Sequence, residues 1–553
     1  MPTISISKKE LLKTLGKRLS DDQLKDRIGM LGTALEGIEN DDIHVEIFPN
    51  RPDLLSQQGF SRALASFIGA KPGLQEYKVK KSGKKVIVDK SVEECRPHTR
   101  CAIVTKLKIN DEKLKEIIQI QEKLHVTFGR NRKRAAIGIY PMEHIAFPIT
   151  FKGLKPADVK FQPLEAKKAM TAQEILEAHP KGKDYASLVA GLSRYACFLD
   201  AKGNIMSFTP IINSELTGKI TEKTTEVFIE CSGFDERILE ECLAMIVTAF
   251  ADMGGEISSV ELEYPTKKVT SPVLEPRKMK ADVKYINTLL GLDLNEKTVK
   301  TLFEKMGYGY EKGVVSIPAY RTDILHQADF AEDIAIAYGF EHIPEILPNV
   351  ATIAREAPFE IFAAKVRERL VGHGLLEVKN YHLISKELQT KRMNLELDVI
   401  TLKSSVSEGY DSLRAWLTPS LVDTLGRNKR HEYPQTIFEI GKVFTKSREK
   451  TETGVNEMFR IAAAVSGEEA DYTRIRQLLD SLFASFGVTP TYKETEHASF
   501  IPGRVARVSV AGVDVAYCGE LDPKVLDANK LGMPTAVFEL NLTVLYDVLR
   551  KKA

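Results

Sequence analysis

The segment from Arg321 to Pro344 constrains the fold more than any other part of this 553-residue chain. A short β-like run, Val314 to Ile317, precedes the segment. Apolar side chains then recur at every fourth position, at Phe330, Ile334 and Tyr338. This spacing predicts a helix that buries one stripe, and Gly339 is a favourable place for it to end. The segment is therefore predicted to fold as a strand, a loop and a helix.

Four acidic side chains surround the predicted start of this helix: Asp323, Asp329, Glu332 and Asp333. Asp323 follows the loop and is placed to cap the helix, while the other three share one helical face. Like charges at this spacing repel by roughly 0.2–0.5 kcal/mol per pair, so we expect a positive partner. That partner is either Mg2+, which prefers carboxylate oxygen, or solvent around an ordinary acidic face. Spacing alone favours the solvated face.

Composition narrows the class of protein. The chain is 43% hydrophobic and 28% charged, which is ordinary for a globular protein, and about 150 residues per domain predicts three or four domains. A net charge of +2 provides no general attraction to nucleic acid or membrane. No apolar run reaches the roughly 18 residues of a membrane span, and the N-terminus lacks a signal pattern. Six scattered cysteines without a C-x-x-C pair argue against a disulfide framework or a zinc site. We therefore expect a cytoplasmic protein.

The order of predicted elements indicates an α+β multidomain fold. Residues 1–78 predict a small α+β domain, and residues 86–265 predict a β-rich domain. Residues 270–345 predict a small helical domain that contains the acidic cluster, and residues 355–553 predict an α+β domain with antiparallel strands. The basic run Lys78 to Lys85 reads as a linker or hairpin turn between the first two domains.

Two loops are candidate binding sites. The segment Asn50-Arg51-Pro52-Asp53 is made rigid by its prolines. It either binds a ligand or places Asp53 against a buried Arg or a helix start, and the structural alternative is favoured. The loop Gly129 to Arg134 carries four cations just before a predicted strand. It either contacts an RNA backbone or pairs with acidic neighbours, and charge alone does not decide.

The β-rich region shows no recognisable protein nucleophile. Segments Pro210 to Glu215 and Glu226 to Ser232 suggest strands around a polar concavity. No Ser/His/Asp order and no nucleophile elbow occur there. Hydrolysis at this place would need a positioned water molecule.

Five segments in order carry a resemblance to a known family. They are Phe48 to Ser56, Gly129 to Gly138, Arg321 to Asp333, Phe438 to Gly441 and Pro502 to Arg504. Each motif is weak alone, but five in the same order are specific. The chain resembles, over essentially its whole length, the beta subunit of phenylalanyl-tRNA synthetase in its archaeal form.

The resemblance implies a subunit of an α2β2 enzyme that uses ATP and Mg2+ to attach phenylalanine to tRNA(Phe). The aminoacylation site lies in the alpha subunit of such enzymes. The beta subunit carries a β-rich editing domain that hydrolyses mischarged Tyr-tRNA, a winged-helix-like domain, and a class II synthetase-like domain without catalytic motifs. These would be residues 86–265, 270–345 and 355–553. A Mg2+ shared with the alpha subunit would be held by the four carboxylates Asp323, Asp329, Glu332 and Asp333, which match the family's pattern.

The C-terminal domain lacks a cation that an active class II site requires. Such a site places an Arg two positions before a strand Glu to bind ATP, but here Ile437 precedes Glu439 at that distance. A triphosphate needs such cations for charge compensation. The chain alone is therefore not expected to activate an amino acid.

The editing residues implied by the resemblance are Ser214, Glu230 and Ser232. The first lies in the turn Asn213-Ser214-Glu215, and the other two match an acidic-x-Thr pair, with Glu in place of Asp and Ser in place of Thr. Glu230 is a candidate partner for a phenolic hydroxyl, which phenylalanine lacks. The alternative for Glu230 is a salt bridge at the end of a strand.

Two other classes of function remain open. The first is a stand-alone RNA-binding protein that uses the loop around Arg132. The second is a metal-dependent phosphohydrolase built on the acidic cluster, with His326 as general acid. Gly307-Tyr308-Gly309 leads into a strand, so no phosphate cradle accompanies that cluster.

Overall fold

The computed structural model of the chain describes residues 2–350, 352–449 and 451–551. The chain divides into two compact units, residues 1–347 and 348–553. In the described part of the chain, no helix is long and apolar enough to cross a membrane. All six cysteines are buried and free, as the scattered spacing predicts.

A small α+β domain opens the first unit. Its antiparallel sheet has the order β1-β3-β2. Ser7 and Ser20 cap its first two helices through side-chain oxygens that accept backbone N–H groups. The elements are β1 (Thr3–Ser7), α1 (Lys8–Leu15), α2 (Asp21–Met30), β2 (Ala34–Glu39), β3 (Asp42–Glu46) and α3 (Gln57–Phe67).

A ten-stranded sheet forms the centre of the first unit. Its path is β12-β11-β10-β7-β4-β14-β5-β13-β6, and β15 pairs with β14. The strands and helices are β4 (Val79–Val88), β5 (His98–Thr105), α4 (Asp111–Val126), β6 (Ala135–Pro141), β7 (Ile149–Leu154), β8 (Lys160–Phe161), β9 (Met170–Thr171), α5 (Ala172–Ala178), α6 (Pro180–Tyr185), β10 (Tyr195–Leu199), β11 (Ile205–Phe208), β12 (Ile212–Asn213), α7 (Glu215–Gly218), β13 (Val227–Gly233), α8 (Glu236–Asp252), β14 (Glu256–Glu263) and β15 (Lys268–Ser271). Strands β8 and β9 pair separately.

The sequence predicts a linker or a turn for the basic run Lys78 to Lys85, but the structure shows a strand there. The run lies mostly in β4, which pairs in parallel with β14. Lys80 contacts Glu256 at 2.6 Å and Lys85 contacts Glu263 at 2.9 Å. The prediction is wrong because the carboxylates that accommodate this positive strand lie about 180 residues away in sequence, where no local pattern reveals them.

The small third domain contains β16 (Arg277–Lys280), α9 (Val283–Leu290), α10 (Glu296–Lys305), β17 (Gly309–Glu311), β18 (Val314–Ile317) and α11 (Gln327–Tyr338). Its sheet has the order β16-β18-β17. Helix α11 ends before Gly339, as predicted. Its N-cap is His326 and not Asp323, because Asp323 is held by Arg321 before the helix begins. His326 Nδ1 accepts the Ala328 N–H, and the Asp329 carboxylate accepts the His326 N–H at 2.7 Å.

The second unit is built on a seven-stranded sheet of order β19-β22-β23-β27-β26-β25-β24. All of its strand pairs are antiparallel except β19 with β22. Its elements are α12 (Pro358–Gly372), β19 (Leu376–Glu377), β20 (Leu383–Ile384), α13 (Lys386–Gln389), β21 (Ser412–Leu413), α14 (Thr418–Arg427), β22 (Gln435–Lys446), β23 (Val455–Ser466), α15 (Tyr472–Ala484), β24 (Thr491–Glu494), β25 (Phe500–Val510), β26 (Val513–Leu521), α16 (Pro523–Ala528), β27 (Thr535–Asn541) and α17 (Leu542–Arg550).

A fully buried ion pair lies on this sheet. The Arg414 guanidinium donates to Glu439 Oε1 at 2.6 Å, and both side chains are inaccessible to solvent. Glu439 also accepts from the Asn380 amide side chain at 2.9 Å. The strand glutamate that an active class II site would use is therefore engaged inside the fold.

A buried carboxylate also joins the ten-stranded sheet domain to the first domain. Glu116 of α4 is 8% exposed and accepts two hydrogen bonds from Gln58, from the backbone N–H at 3.1 Å and from Nε2 at 3.4 Å. Gln119 of the same helix bonds to both the N–H and the carbonyl of Ser5 in β1. Burial raises the pKa of Glu116 to about 7, against the opposing effect of the Gln58 donors.

Removing one partner of the Arg414–Glu439 pair should strongly destabilise the second unit. We expect Arg414→Leu to lower the free energy of unfolding by about 3–5 kcal/mol, because an unpaired carboxylate would remain buried. Arg427→Leu removes an exposed ion pair with Asp423 on α14 and should change stability little. Thermal and denaturant unfolding of the full chain measure both. Equal effects of the two substitutions would contradict the prediction.

The junction at Glu116 should make stability depend on pH. The folded chain binds this proton more tightly than the unfolded chain, so the destabilising effect begins above the ordinary value of 4.5 and is complete above about 7. Glu116→Gln should therefore stabilise the fold at pH 8 by on the order of 3 kcal/mol, and much less at pH 5. The matched control is the exposed Glu112→Gln on the same helix. A stabilisation by Glu116→Gln that does not change between the two pH values would refute this assignment.

Candidate functional site

A cavity of about 410 Å3 opens on the ten-stranded sheet domain. One wall is a face of α4 whose residues recur every three or four positions, from Leu114 to His125. The other walls come from β6, β13 and the segment around β12. Most of the lining is apolar: Leu114, Ile117, Ile118, Ile137, Ile139, Phe208, Ile211, Ile212 and Ile220. The polar or charged part of the lining includes Glu122, Arg132, His179, Asn213 and Glu230. The cavity therefore offers apolar surface for an aromatic or aliphatic side chain beside several hydrogen-bonding groups.

Glu230 is the buried carboxylate of this cavity. It lies on β13, opposite Gly138 of β6 and Cys101 of β5, and is 2% exposed. The Tyr140 hydroxyl donates to its Oε1 at 3.3 Å, whereas its Oε2 has no hydrogen-bond partner among the described residues. Burial raises the pKa of Glu230 to about 8, although Arg96, Tyr140 and Ser232 act in the opposite direction. An unpaired buried acceptor is costly in a folded protein, so this oxygen is suited to a donor on a ligand.

Gly138 makes room for this carboxylate. A Cβ at position 138 would lie 2.5 Å from Glu230 Oε1 and would also overlap the Tyr140 hydroxyl. Any larger residue would therefore displace the two groups that define the polar end of the cavity.

The other residues implied for editing lie at different depths. Asn213 and Glu215 line the cavity together with Glu230. Ser214 is buried and caps α7, accepting the Leu216 N–H at 3.3 Å. Ser232 is buried behind Glu230 and accepts a hydrogen bond from Arg96. The structure therefore brings Asn213, Glu215 and Glu230 to one cavity, whereas Ser214 and Ser232 are not part of its lining.

The basic loop contributes a cavity residue and leaves other cations in solvent. Arg132 is buried, and its guanidinium donates to the Ile211 carbonyl at 2.8 Å and to Glu122 at 3.1 Å. Arg130 and Lys133 are exposed. Of the two alternatives for this loop, pairing with an acidic neighbour is therefore the one that applies to Arg132.

Two histidines of the cavity were missed by sequence reasoning. Burial lowers the pKa of His125 to about 4, and its Nε2 accepts the Ile137 N–H at 2.8 Å. His179 contacts the Leu164 carbonyl through Nε2 at 3.2 Å. The spacing of Gln121, Glu122 and His125 along one face of α4 is the signal that would have found the first of them.

The four carboxylates of the third domain do not act as one group. Arg321 holds two of them: it donates to both oxygens of Asp323 at 2.9 and 2.8 Å and to Asp333 at 2.6 Å. The Tyr308 hydroxyl also donates to Asp333. Burial would raise the pKa of Asp323, but the Arg321 charge holds it below its usual value. The positive partner expected from the sequence is therefore a guanidinium.

Asp329 and Glu332 differ from that pair. One oxygen of Asp329 accepts the N–H groups of Leu325 and His326 at the start of α11. Glu332 is exposed and makes no hydrogen bond or ion pair within the described ranges. No group of three or more His, Cys, Asp or Glu side chains is arranged to hold a metal ion in this part of the chain. As a set, the four carboxylates do not fit a Mg2+ ion in this arrangement, and the Mg2+ site remains a prediction.

The Asn50-Arg51-Pro52-Asp53 loop contains a similar buried arginine–carboxylate pair. We call this pair, and the group of Arg321 with Asp323 and Asp333, clasps. Arg51 donates to both oxygens of Asp53 at 2.9 and 2.8 Å, and both side chains are buried. This confirms the favoured interpretation that Asp53 pairs with a buried Arg. The Arg51 guanidinium also interacts electrostatically with Arg321 and Asp323, so the two clasps lie near each other.

His326 has a structural role at this place. As the N-cap of α11, its Nδ1 accepts a backbone N–H. Because Nδ1 is engaged in the helix cap, the structure does not support a role for His326 as a general acid.

Comparisons with known proteins identify three family models along the chain. Residues 1–70 match the Phe-tRNA synthetase beta subunit B1 domain, and residues 279–340 match the tRNA synthetase B5 domain. Residues 343–542 match the phenylalanyl tRNA synthetase beta chain CLM domain.

Curated relatives cover the chain almost completely. Phenylalanine–tRNA ligase beta subunits of Pyrococcus abyssi and Archaeoglobus fulgidus are 38% and 36% identical, each over 99% of this chain and over 100% and 99% of their own lengths. A crystal structure of an N-terminal fragment of the Pyrococcus horikoshii phenylalanyl-tRNA synthetase beta subunit is 37% identical, with a TM-score of 0.59. It covers 61% of this chain and 99% of the fragment.

Removing the charge of Asp333, in the Arg321 clasp, should affect stability more than removing the charge of the exposed Glu332. Asp333→Asn should destabilise the first unit by several kcal/mol, because Arg321 would keep a buried charge with less compensation. Glu332→Gln is the matched control one position away and should leave unfolding unchanged. Chemical unfolding of the full chain measures both, and a large loss of stability in the Glu332 variant would overturn this division of the acidic residues.

Proposed function

The chain belongs to the phenylalanine–tRNA ligase beta-subunit family, and from that premise we propose that its cavity hydrolyses mischarged Tyr-tRNA. As a beta subunit it serves an aminoacyl-tRNA ligase that attaches phenylalanine to tRNA. The proposal adds the editing reaction to this role, and places it in the ten-stranded sheet domain.

The observation that carries the proposal is the unpartnered oxygen of Glu230 beside apolar walls. A tyrosyl ring would pack against the isoleucines, and its phenolic O–H would donate to the carboxylate. A phenylalanyl ring would fill the same space and leave the carboxylate unpaired. Leaving a buried polar group unsatisfied costs about 1–3 kcal/mol, and more for a charged group, and sites of this kind reject the analogue that lacks the hydroxyl.

The reaction breaks the ester bond between the tyrosyl carbonyl carbon and the ribose oxygen. Water gives its oxygen to the acyl group and a proton to the ribose oxygen. Glu230 and the apolar walls would bind and orient the acyl group. Among the cavity residues, Asn213 has a side-chain amide that would help to place the carbonyl or the water. Ser214 would act by holding the turn, since its oxygen already caps α7.

The aminoacylation site is proposed to lie in an alpha subunit within an α2β2 assembly. The closed Arg414–Glu439 pair supports this, because Glu439 is not free to meet a substrate. ATP and tRNA(Phe) would be substrates of the assembled enzyme. The Mg2+ shared between subunits stays part of this proposal, with Glu332 as the exposed carboxylate of the four, whereas Asp323 and Asp333 are held by Arg321.

The test uses the chain assembled with its cognate alpha subunit. Glu230→Gln should lower Tyr-tRNA hydrolysis at least about tenfold through the lost charge-assisted hydrogen bond, while phenylalanylation stays unchanged. The matched control is Glu165→Gln, an exposed carboxylate at the same cavity. Rates of deacylation of Tyr-tRNA and of formation of Phe-tRNA are measured for each variant.

Two results would contradict the proposal. One is a wild-type complex that makes Phe-tRNA but does not hydrolyse Tyr-tRNA. The other is a Glu230→Gln complex that hydrolyses Tyr-tRNA at the wild-type rate, which would move the site away from this cavity.

A further inference from the structure

Arg96 is a buried cation that neither the editing residues implied by the family nor the cavity lining includes. It lies in the loop before β5 and is 3% exposed. Its Nη2 donates to the carbonyls of Ser232 at 2.6 Å and Arg132 at 3.3 Å, and its guanidinium lies over the Phe234 ring. No carboxylate forms an ion pair with it within the described ranges. A buried guanidinium without an ion pair is costly. We therefore expect Arg96 to have a role that its contacts indicate.

The contacts of Arg96 lead to Glu230. Its Nε donates to the Ser232 Oγ at 3.1 Å. Ser232 and Glu230 are two residues apart on β13, so their side chains share one face of the sheet. The hydrogen bond to Ser232 therefore places the guanidinium next to the residue that neighbours Glu230 on that face. Arg96 and Glu230 are also each other's largest charge interaction.

We infer that Arg96 is the positioning residue that favours the ionised form of Glu230 from its place beside Ser232, and thereby sets the selectivity of the cavity for a hydroxylated aromatic acyl group. This inference rests on the proposed editing function. An ionised carboxylate accepts the phenolic O–H strongly and is left unpaired by phenylalanine. A protonated carboxyl tolerates both rings, so selectivity depends on the charge of Glu230.

The surroundings of Glu230 support this division of roles. Tyr140 from β6 and the thiols Cys101 and Cys231 from β5 and β13 are buried, and burial raises the pKa of each above its usual value. All three therefore stay neutral near pH 8. On the cavity wall, burial keeps His125 neutral, and Glu122 is ionised and engaged with Arg132. His179 also lines the cavity. Arg96 is the cation that acts on Glu230 from beside Ser232, on the same face of the sheet.

The experiment measures pH profiles of Tyr-tRNA and Phe-tRNA hydrolysis by the assembled complex, with the rates without enzyme subtracted. In wild type, kcat/KM for Tyr-tRNA should rise through an inflection near the pKa of Glu230, about 8. Arg96→Met should move that inflection up by about one pH unit or more and lower the Tyr-to-Phe selectivity at pH 7.5 at least about tenfold. Arg96→Lys should restore most of the wild-type profile. His179→Asn should keep the inflection.

A second measurement separates this inference from the editing reaction itself. Isotope-edited infrared spectra, taken as the difference from Glu230→Gln, report the ionisation of Glu230 without any tRNA. Its midpoint should rise in Arg96→Met and, to a smaller extent, in Ser232→Ala, which keeps the guanidinium and serves if the first variant does not fold. An unchanged midpoint in a folded variant would overturn the role of Arg96. A shifted midpoint in a complex that cannot hydrolyse Tyr-tRNA would uphold Arg96 and reject the editing function.

Discussion

The structure of the first unit depends on guanidinium groups that neutralise buried carboxylates. Arg321 compensates Asp323 and Asp333, and Arg51 compensates Asp53 with the same two-bond geometry. Planar guanidinium–carboxylate pairs fix orientation as well as charge. Because these groups are buried, each clasp fixes the course of a loop. The first of them settles where α11 can begin, and therefore which acidic residues remain available on its surface.

The cavity also contains a buried carboxylate, but this one has no arginine bonded to it among the described residues. Glu230 is as buried as the clasped carboxylates, but no guanidinium reaches it directly. The charge of Arg96 favours its ionised form, and one of its oxygens accepts no hydrogen bond from the residues that the structure describes. A clasped carboxylate is satisfied and structural, whereas an incompletely satisfied one is ready for a ligand. Under the proposed function, whether an arginine completes its hydrogen bonds is what distinguishes Glu230 from the structural carboxylates Asp53, Asp323 and Asp333.

Much of the architecture could be predicted from local pattern. The apolar stripe of α11 and its end before Gly339 agree with the sequence, since each depends on neighbours within a few residues. Failures have long-range causes. Local pattern predicts a linker or turn at β4 because the compensating glutamates are on β14. It predicts a cap at Asp323 because spacing does not show the geometry of Arg321. Asp53 was correctly expected to pair with a buried Arg, because that Arg is two residues away.

The candidate site shows the same limit more sharply. Glu230 was found from motif order, but its unpaired oxygen, the space that Gly138 provides and the approach of Arg96 all depend on the register of β13 against β5 and β6. A shift of one residue in that register would turn Glu230 toward α8 and bring Ile229 to the cavity. A longer carboxylate than the family's Asp also reaches further from the strand. Since the apolar walls would accept either ring, the proposed selectivity rests on this one side chain, and its charge on the arginine beside Ser232.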